Sequence, residues 1–380
     1  MRILISSVGT RGDVQPAVAL AIEARKLGLE ARLCVPPNFV AWVERLGFEA
    51  SSIGVEMRPP RPGESSKKIP DLITDQFEVV LAAADGCELI VGAGVHQYAA
   101  RSIAELKGVP CVQALYAPVT LPSPDHAPPG PPQEAASNDI FWEQHRRSWN
   151  ERALERVNAN RAQLGLSAIQ DVLSHILGER PWLAADVILG PALSAGVLQT
   201  GAWILAGGGG LTAQLETFLN AGAAPIYLGL GSMPAAPETG RALIEAARAV
   251  RRRAILSRGW AGFERIDEAP DCILVDEVDH QALFPRVAAV VHHGGAGTTH
   301  TAALAGAPQV VTPMFSDQFY WGGRIRELDI GALARPGADL SVALSQALQP
   351  EVATCARALA KRITSDGAAV AASLLAEEFG

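Results

Sequence analysis

Three places in this chain carry residue types that can do chemistry together. The first is His292-His293-Gly294-Gly295-Ala296-Gly297, preceded by an apolar β-branched run over 288–291 and followed by Thr298 and Thr299. The run reads as a buried strand, the glycines as a tight turn that needs permissive φ angles, and the threonines as caps of a helix over 300–305. A strand, a glycine-rich turn and a helix start aim unpaired N–H groups and the positive end of a helix dipole at one spot, which suits a phosphate. The second place is Asp317-Gln318, just past an apolar strand over 309–312. Ligands of open α/β sheets bind at the carboxyl ends of such strands. A phosphate cradle beside an acid–amide pair suits a sugar nucleotide. The third is Asp13, in Thr10-Arg11-Gly12-Asp13 at the mouth of a first strand over 3–6. Its carboxylate can cap a helix from Val14 onward or act as a general base facing a cleft, and the two roles are compatible.

Other chemistries fit less well. The turn is not G-x-G-x-x-G and lies deep in the second half, which disfavours a dinucleotide, and it lacks the lysine of a P-loop. His292 and His293 are consecutive at a strand end, so they point opposite ways and do not easily share one metal ion. One imidazole, His293 by position, reads better as a donor to phosphate. Asp276 and Asp279 are spaced D-x-x-D and read as solvated loop carboxylates. There is no G-x-S-x-G. His96, His126 and His145 are isolated polar residues by sequence, although His96 opens a helix near a strand end and keeps a place near an acceptor.

The elements that must position these residues alternate strand and helix from the first residues onward. That rhythm specifies parallel, doubly wound sheets. The chain has 380 residues, of which 48% are hydrophobic, which favours two domains with sizeable cores. Residues 206–210, Ala-Gly-Gly-Gly-Gly, are the clearest linker signal and should be flexible. The expected division is 1–205, a linker over 206–214, and 215–380, with the last helix able to cross back to the first domain. A formal charge of −8 offers no basic nucleic-acid face, and Arg251-Arg252-Arg253 sits at a helix end where cations are welcome. Five scattered cysteines form no C-x-x-C pair and suit free thiols in a reducing cytosol. No long apolar span suggests a membrane helix, a strand begins at Arg2 so no signal peptide is expected, and a cytoplasmic monomer is the expectation.

At this point the chain resembles the two-domain GT-B glycosyltransferases that decorate natural products, especially the vancomycin-type glycopeptide subgroup. The matching stretches are Ser7-Val8-Gly9-Thr10-Arg11-Gly12-Asp13-Val14-Gln15-Pro16, Pro181-Trp182-Leu183-Ala184-Ala185-Asp186 and Gln199-Thr200-Gly201-Ala202-Trp203-Ile204-Leu205. They continue with Leu228-Gly229-Leu230-Gly231-Ser232, Leu256-Ser257-Arg258-Gly259-Trp260, the run from His292 to Thr299, and Asp317-Gln318. The resemblance covers nearly the whole chain. It implies an α/β fold of two Rossmann-like domains facing a deep cleft. It also implies inverting, metal-independent transfer of a hexose from a UDP- or TDP-sugar to an aglycone hydroxyl, with no resident cofactor. Asp13 matches the family's general base, and Thr10 and Arg11 match positions on the donor phosphate side. Ser232 matches a diphosphate or ribose contact, Val278 a backbone that reads the base, with Arg258 and Trp260 nearby. His293, Gly295, Gly297 and Thr298 match the diphosphate cradle, and Asp317 and Gln318 the pair that binds sugar hydroxyls.

Residues 51–68 and the proline-rich residues 117–137 depart from the subgroup, and these regions would meet the acceptor. The aglycone can therefore be glycopeptide-like, or a macrolactone, polyketide or sterol-like compound. Two competing readings are a sugar-nucleotide epimerase on the same fold and a non-catalytic sugar-nucleotide-binding partner protein. The resemblance places the donor mainly on the second half, so residues from about 211 onward would bind nucleotide diphosphate alone.

Overall fold

The computed structural model describes residues 1–58, 69–132, 137–194, 196–335 and 337–380. The acceptor-side expectations for 59–68 and 133–136 lie outside the described residues. The first sheet runs β3-β2-β1-β4-β5-β6-β7. Its strands are β1 Arg2–Ser7, β2 Glu30–Val35, β3 Glu49–Ser52, β4 Leu89–Ala93, β5 Cys111–Leu115, β6 Trp182–Leu183 and β7 Leu198–Gln199. The second runs β10-β9-β8-β11-β12-β13, from β8 Ile226–Leu228, β9 Ala254–Ser257, β10 Cys272–Val275, β11 Ala289–His292, β12 Gln309–Val311 and β13 Gly331–Leu333. Every pairing is parallel. The central strands β1, β4, β8 and β11 are almost wholly buried, as strands covered by helices on both faces must be.

Several boundaries differ from the sequence expectation. The first long helix is Arg11–Lys26 and contains Pro16, so it begins before Gln15 and places Asp13 in its first turn. The cradle helix is Ala296–Leu304 with Gly295 as N-cap, so Thr298 and Thr299 lie inside it rather than capping it. Residues 187–189 form a turn rather than a strand, because the Asp186 carboxylate accepts the N–H groups of Ile188 at 2.8 Å and Leu189 at 3.0 Å.

The glycine stretch is held where it begins. Gln281 donates to the Leu205 carbonyl at 2.7 Å and accepts the Gly207 N–H at 3.0 Å. A Cβ on Gly207 would come within 2.5 Å of the Asp279 carboxylate. The second half therefore clasps the stretch at Leu205 and Gly207, while a Cβ on Gly208, Gly209 or Gly210 would meet nothing within 4 Å. The chain crosses back at Gly367, which packs so tightly on Gly201 that a Cβ would lie 2.3 Å from its backbone. Helix Gly367–Phe379 then buries Ala368, Ala371, Ala372 and Leu375 in the core beneath helix Arg11–Lys26. The last helix thus belongs to the core that supports Asp13. Leu375→Ala is expected to cost about 2–5 kcal/mol of stability, the usual range for a fully buried leucine, read by urea denaturation. A cost below about 1 kcal/mol would mean that this helix does not support the first half.

Candidate active site

Asp13 is not the N-cap of its helix; Thr10 is. The Asp13 carboxylate reaches back instead and accepts the Thr10 N–H at 2.8 Å and, more weakly, its hydroxyl at 3.4 Å. Both Tyr116 and Ser7 donate to the Asp13 carbonyl at 3.0 Å, fixing the turn that carries the carboxylate. Gly9, with φ +144°, lies so close that a Cβ would sit 2.2 Å from Asp13 Oδ2, and the Cβ position of Gly94 is 3.6 Å from Oδ1. Burial pushes the Asp13 carboxyl up to about 6; the Thr10 backbone hydrogen bond pulls the other way, and the Asp317 charge across the cleft adds to the rise. The result is a fixed carboxylate with one committed oxygen and a basicity suited to proton abstraction near neutral pH.

The cradle faces it from the second half. His292 is fully buried at the end of β11; its Nδ1 accepts the Gly294 N–H at 3.1 Å and its Nε2 bonds Gln309 Oε1 at 2.9 Å. It therefore pins the turn rather than serving a ligand. The His293 ring stands at 87° to that of His292, with centroids 6.4 Å apart. Burial lowers His293 to about 4, so the ring is neutral at pH 7, and its buried Nδ1 has no hydrogen-bond partner among the described residues. A Cβ on Gly295 would lie 2.5 Å from His293 Nε2, and one on Gly231 would lie 3.3 Å from its Cε1. The ring is wedged between two glycines beside the start of the cradle helix, where the first N–H groups, including those of Gly297 and Thr298, lack intrahelical partners.

Asp317 is the N-cap residue of helix Gln318–Glu327, and its Oδ2 accepts the Trp321 indole N–H at 3.0 Å. Burial raises it to about 6, while the Trp321 bond pulls it down. Gln318 is buried; its Oε1 accepts the N–H groups of Met314 at 2.7 Å and Phe315 at 3.2 Å, and its amide nitrogen faces Met233 Sδ at 3.3 Å. The acid and the amide sit together as expected, but the Gln318 oxygen is engaged by its own loop.

On the remaining wall, Ser232 follows Gly231 in the turn beyond β8, and the Gly231 carbonyl accepts the Trp260 N–H at 3.0 Å. Arg258 pairs with Asp276 at 2.8 Å, and Asp279 caps helix His280–Leu283 through Gln281 N–H at 2.9 Å. Asp276 is thus an exposed loop carboxylate that carries an ion pair, and Asp279 is a helix cap. Val278 is half-buried between them. Arg11 pairs with Glu277 at 2.6 Å across the two halves and lies over the Trp42 ring. The structure thus brings Thr10, Asp13 and Arg11 opposite the second-half residues, with Arg11 at Glu277 beside Val278.

Sequence reasoning missed Tyr116, Trp321 and the supporting glycines. It also missed that the isolated histidines gather along helix Asn138–Gln163. His96 stacks on Trp149 at 5.3 Å, His145 accepts the Trp149 N–H at 2.9 Å, and His126 packs on Trp142. No spacing in the sequence connects them.

Two all-parallel sheets whose carboxyl ends meet across one cleft are the architecture of GT-B glycosyltransferases. Residues 3–120 match the glycosyltransferase family 28 N-terminal domain, and residues 242–373 match the erythromycin biosynthesis protein CIII-like C-terminal domain. Over 402 residues the chain is 42% identical to the glycosyltransferase GtfE of Amycolatopsis orientalis, spanning 100% of this chain and 98% of that one. It is also 42% identical to the vancomycin aglycone glucosyltransferase of the same organism, covering 99% of this chain and 97% of the relative. The solved glycotransferase of kitacinnamycin superposes with a TM-score of 0.76 over 100% of this chain and 99% of its own; at 20% identity it shows the fold. The chain belongs to the natural-product glycosyltransferase family and is a glycosyltransferase.

The pKa rise at Asp13 carries a sign. A carboxyl raised above its unfolded value keeps its proton in the folded chain over a range where the unfolded chain has lost it. Stability falls as pH rises from about 4, the unfolded value, to the folded value of about 6, and the cost persists above. Asp13→Asn keeps an oxygen for the Thr10 N–H and removes the buried charge. It is expected to melt above the parent at pH 7.5, and the gain should vanish near pH 4. A gain independent of pH in differential scanning calorimetry would refute this.

Proposed function

We propose that this enzyme moves a hexose from a UDP- or TDP-sugar to a hydroxyl of a glycopeptide-like aglycone, with inversion and without a metal. The observation that carries the reading is the buried, one-sided Asp13 carboxylate facing the cradle across the cleft. The acceptor class is supported by the relative named as a vancomycin aglycone glucosyltransferase.

In the proposed mechanism, Asp13 takes the proton of the acceptor hydroxyl as that oxygen attacks the anomeric carbon. The bond to the diphosphate breaks through an oxocarbenium-like state, as in glycoside hydrolysis. Negative charge develops on the leaving diphosphate. The amides at the start of helix Ala296–Leu304, including Gly297 and Thr298, and the unpartnered His293 nitrogen provide preorganised donors for it. Gly295 admits the close approach of His293. Thr10, Arg11 and Ser232 flank the diphosphate, Val278 and Arg258 line the base side, and the free oxygen of Asp317 with the Gln318 amide meets ring hydroxyls. Residues 1–205 take the acceptor, 206–214 link, and 215–380 take the donor, in a cytoplasmic monomer.

Asp317 favours a glucose-like donor, since a site that bonds ring hydroxyls is left unpaired by a deoxysugar. Incubation with UDP- and TDP-glucose and an aglycone panel, read by mass spectrometry, tests the whole reading. Asp13→Asn should lower turnover by roughly 10²–10⁴-fold with nucleotide affinity and fold intact, and a chelator should change nothing. Near-normal turnover of the variant would refute the base and move attention to His96. Interconversion of sugar nucleotides without acceptor would favour an epimerase, and binding without turnover the non-catalytic reading. Preference for a 4-amino-trideoxy donor would sink the assignment of Asp317.

A further inference from the structure

We propose that Trp321 is a positioning residue: it transmits the contact between the two halves of the molecule to the sugar-facing oxygen of Asp317. The inference rests on the reading of Asp317 as a sugar ligand. Trp321 is fully buried, and its Nε1–H donates to Asp317 Oδ2 at 3.0 Å, which leaves Oδ1 with a set direction. The far edge of the same indole meets the first half. A Cβ on Gly190 would lie 2.7 Å from Trp321 Cη2 and 3.0 Å from Cζ3, so the ring is in contact with backbone where only glycine fits. Its face meets His300 edge-on at 5.0 Å.

His300 is itself held by the first half, because its Nε2 accepts the Asp186 N–H at 3.1 Å while its Nδ1 donates to the Ala296 carbonyl at 2.7 Å. One turn beyond Trp321, Arg324 donates to the carbonyls of Leu189 at 3.1 Å and Ile188 at 3.0 Å. Residues 186–190 therefore grip the helix that carries Asp317 and the helix that carries the cradle. The indole lies between that grip and the carboxylate. A rigid ring fixed at both ends transmits a displacement of one end to the other.

Two substitutions separate positioning from mere packing. Trp321→Phe keeps an aromatic ring on the helix but loses the N–H donor to Asp317 together with the distal edge, Cη2 and Cζ3, that meets Gly190. Gly190→Ala keeps the donor and pushes the ring. Calorimetric titration uses TDP, UDP, TDP-glucose and UDP-glucose on the full chain, with melting temperature recorded for each variant. The parent is expected to bind one sugar nucleotide more tightly than its bare diphosphate. In both variants the bare diphosphate should bind as in the parent, while the gain due to the sugar falls by roughly tenfold, the worth of one charge-assisted hydrogen bond. In Trp321→Phe the pH at which that gain changes should also move upward, since the donor that lowers Asp317 is gone.

The inference is overturned if both variants keep the gain and its pH midpoint. It is also overturned if bare diphosphate binding falls in parallel with the sugar nucleotide, because the indole then only supports the fold. A parent that binds the diphosphate with no gain from the sugar removes Asp317 as a sugar ligand and the inference with it. A parent that binds none of the four probes overturns the transferase reading itself.

Discussion

The geometry of the cleft depends on the way one buried carboxylate organises the junction between the two sheets. Asp186 is almost fully buried, yet its oxygens accept backbone N–H groups from Ile188 and Leu189, and more distantly from Thr364 in the crossing segment. Its own N–H is taken by His300 of the cradle helix. A buried carboxylate is tolerated only when its lone pairs are used, and here they are used on two separate stretches of chain, 188–189 and Thr364. Removing it would strand several backbone donors at once, so the junction has one arrangement. The separation of the two strand-end surfaces follows from that.

The site itself is built on the opposite principle, because its polar groups are deliberately under-supplied. Asp13 and Asp317 are both raised to about 6, with burial as the leading cause, and His293 is lowered to about 4 by burial alone. Each has one partner or none where a structural group would have two or three. Desolvation raises the basicity of the acids and keeps the imidazole neutral, so that it offers one N–H without a competing charge. The glycines at 9, 94, 231 and 295 serve this arrangement, since a side chain at any of them would fall on or next to Asp13 or His293.

Much of this was legible in the sequence because parallel α/β sheets have a strong period. Runs such as 288–291 and 254–257 are short and apolar, and the matching strands lie within a residue or two of the expectation. The starts of the two helices that carry Asp13 and the cradle were not legible. Asp13 looked like a cap because an acid before an apolar helix usually is one; Thr10 takes that position and leaves the carboxylate to reach backward. The linker looked free because glycine composition says nothing about a distant glutamine, and Gln281 lies 74 residues from Gly207. Trp321 carried no signal in the sequence for the same reason. Its partner Gly190 is remote in sequence, and a glycine that only makes room leaves no pattern to read. The fold is encoded locally, whereas the support of the site is encoded in tertiary pairs.

The two edges of the cleft are closed by contacts of different kinds. On the side of residues 186–190 the contact is dry, with Trp321 and His300 buried and Arg324 bonded to backbone carbonyls. On the other side the halves meet through Arg11 and Glu277, with side chains 44% and 81% exposed. An ion pair this exposed contributes little and exchanges readily with water or another anion. Separating the dry side would expose a tryptophan and strand buried donors, while separating the other parts a screened ion pair. The first edge is therefore the costlier one to part. The proposed donor-side role of Arg11 falls at the second, where Glu277 already holds the guanidinium.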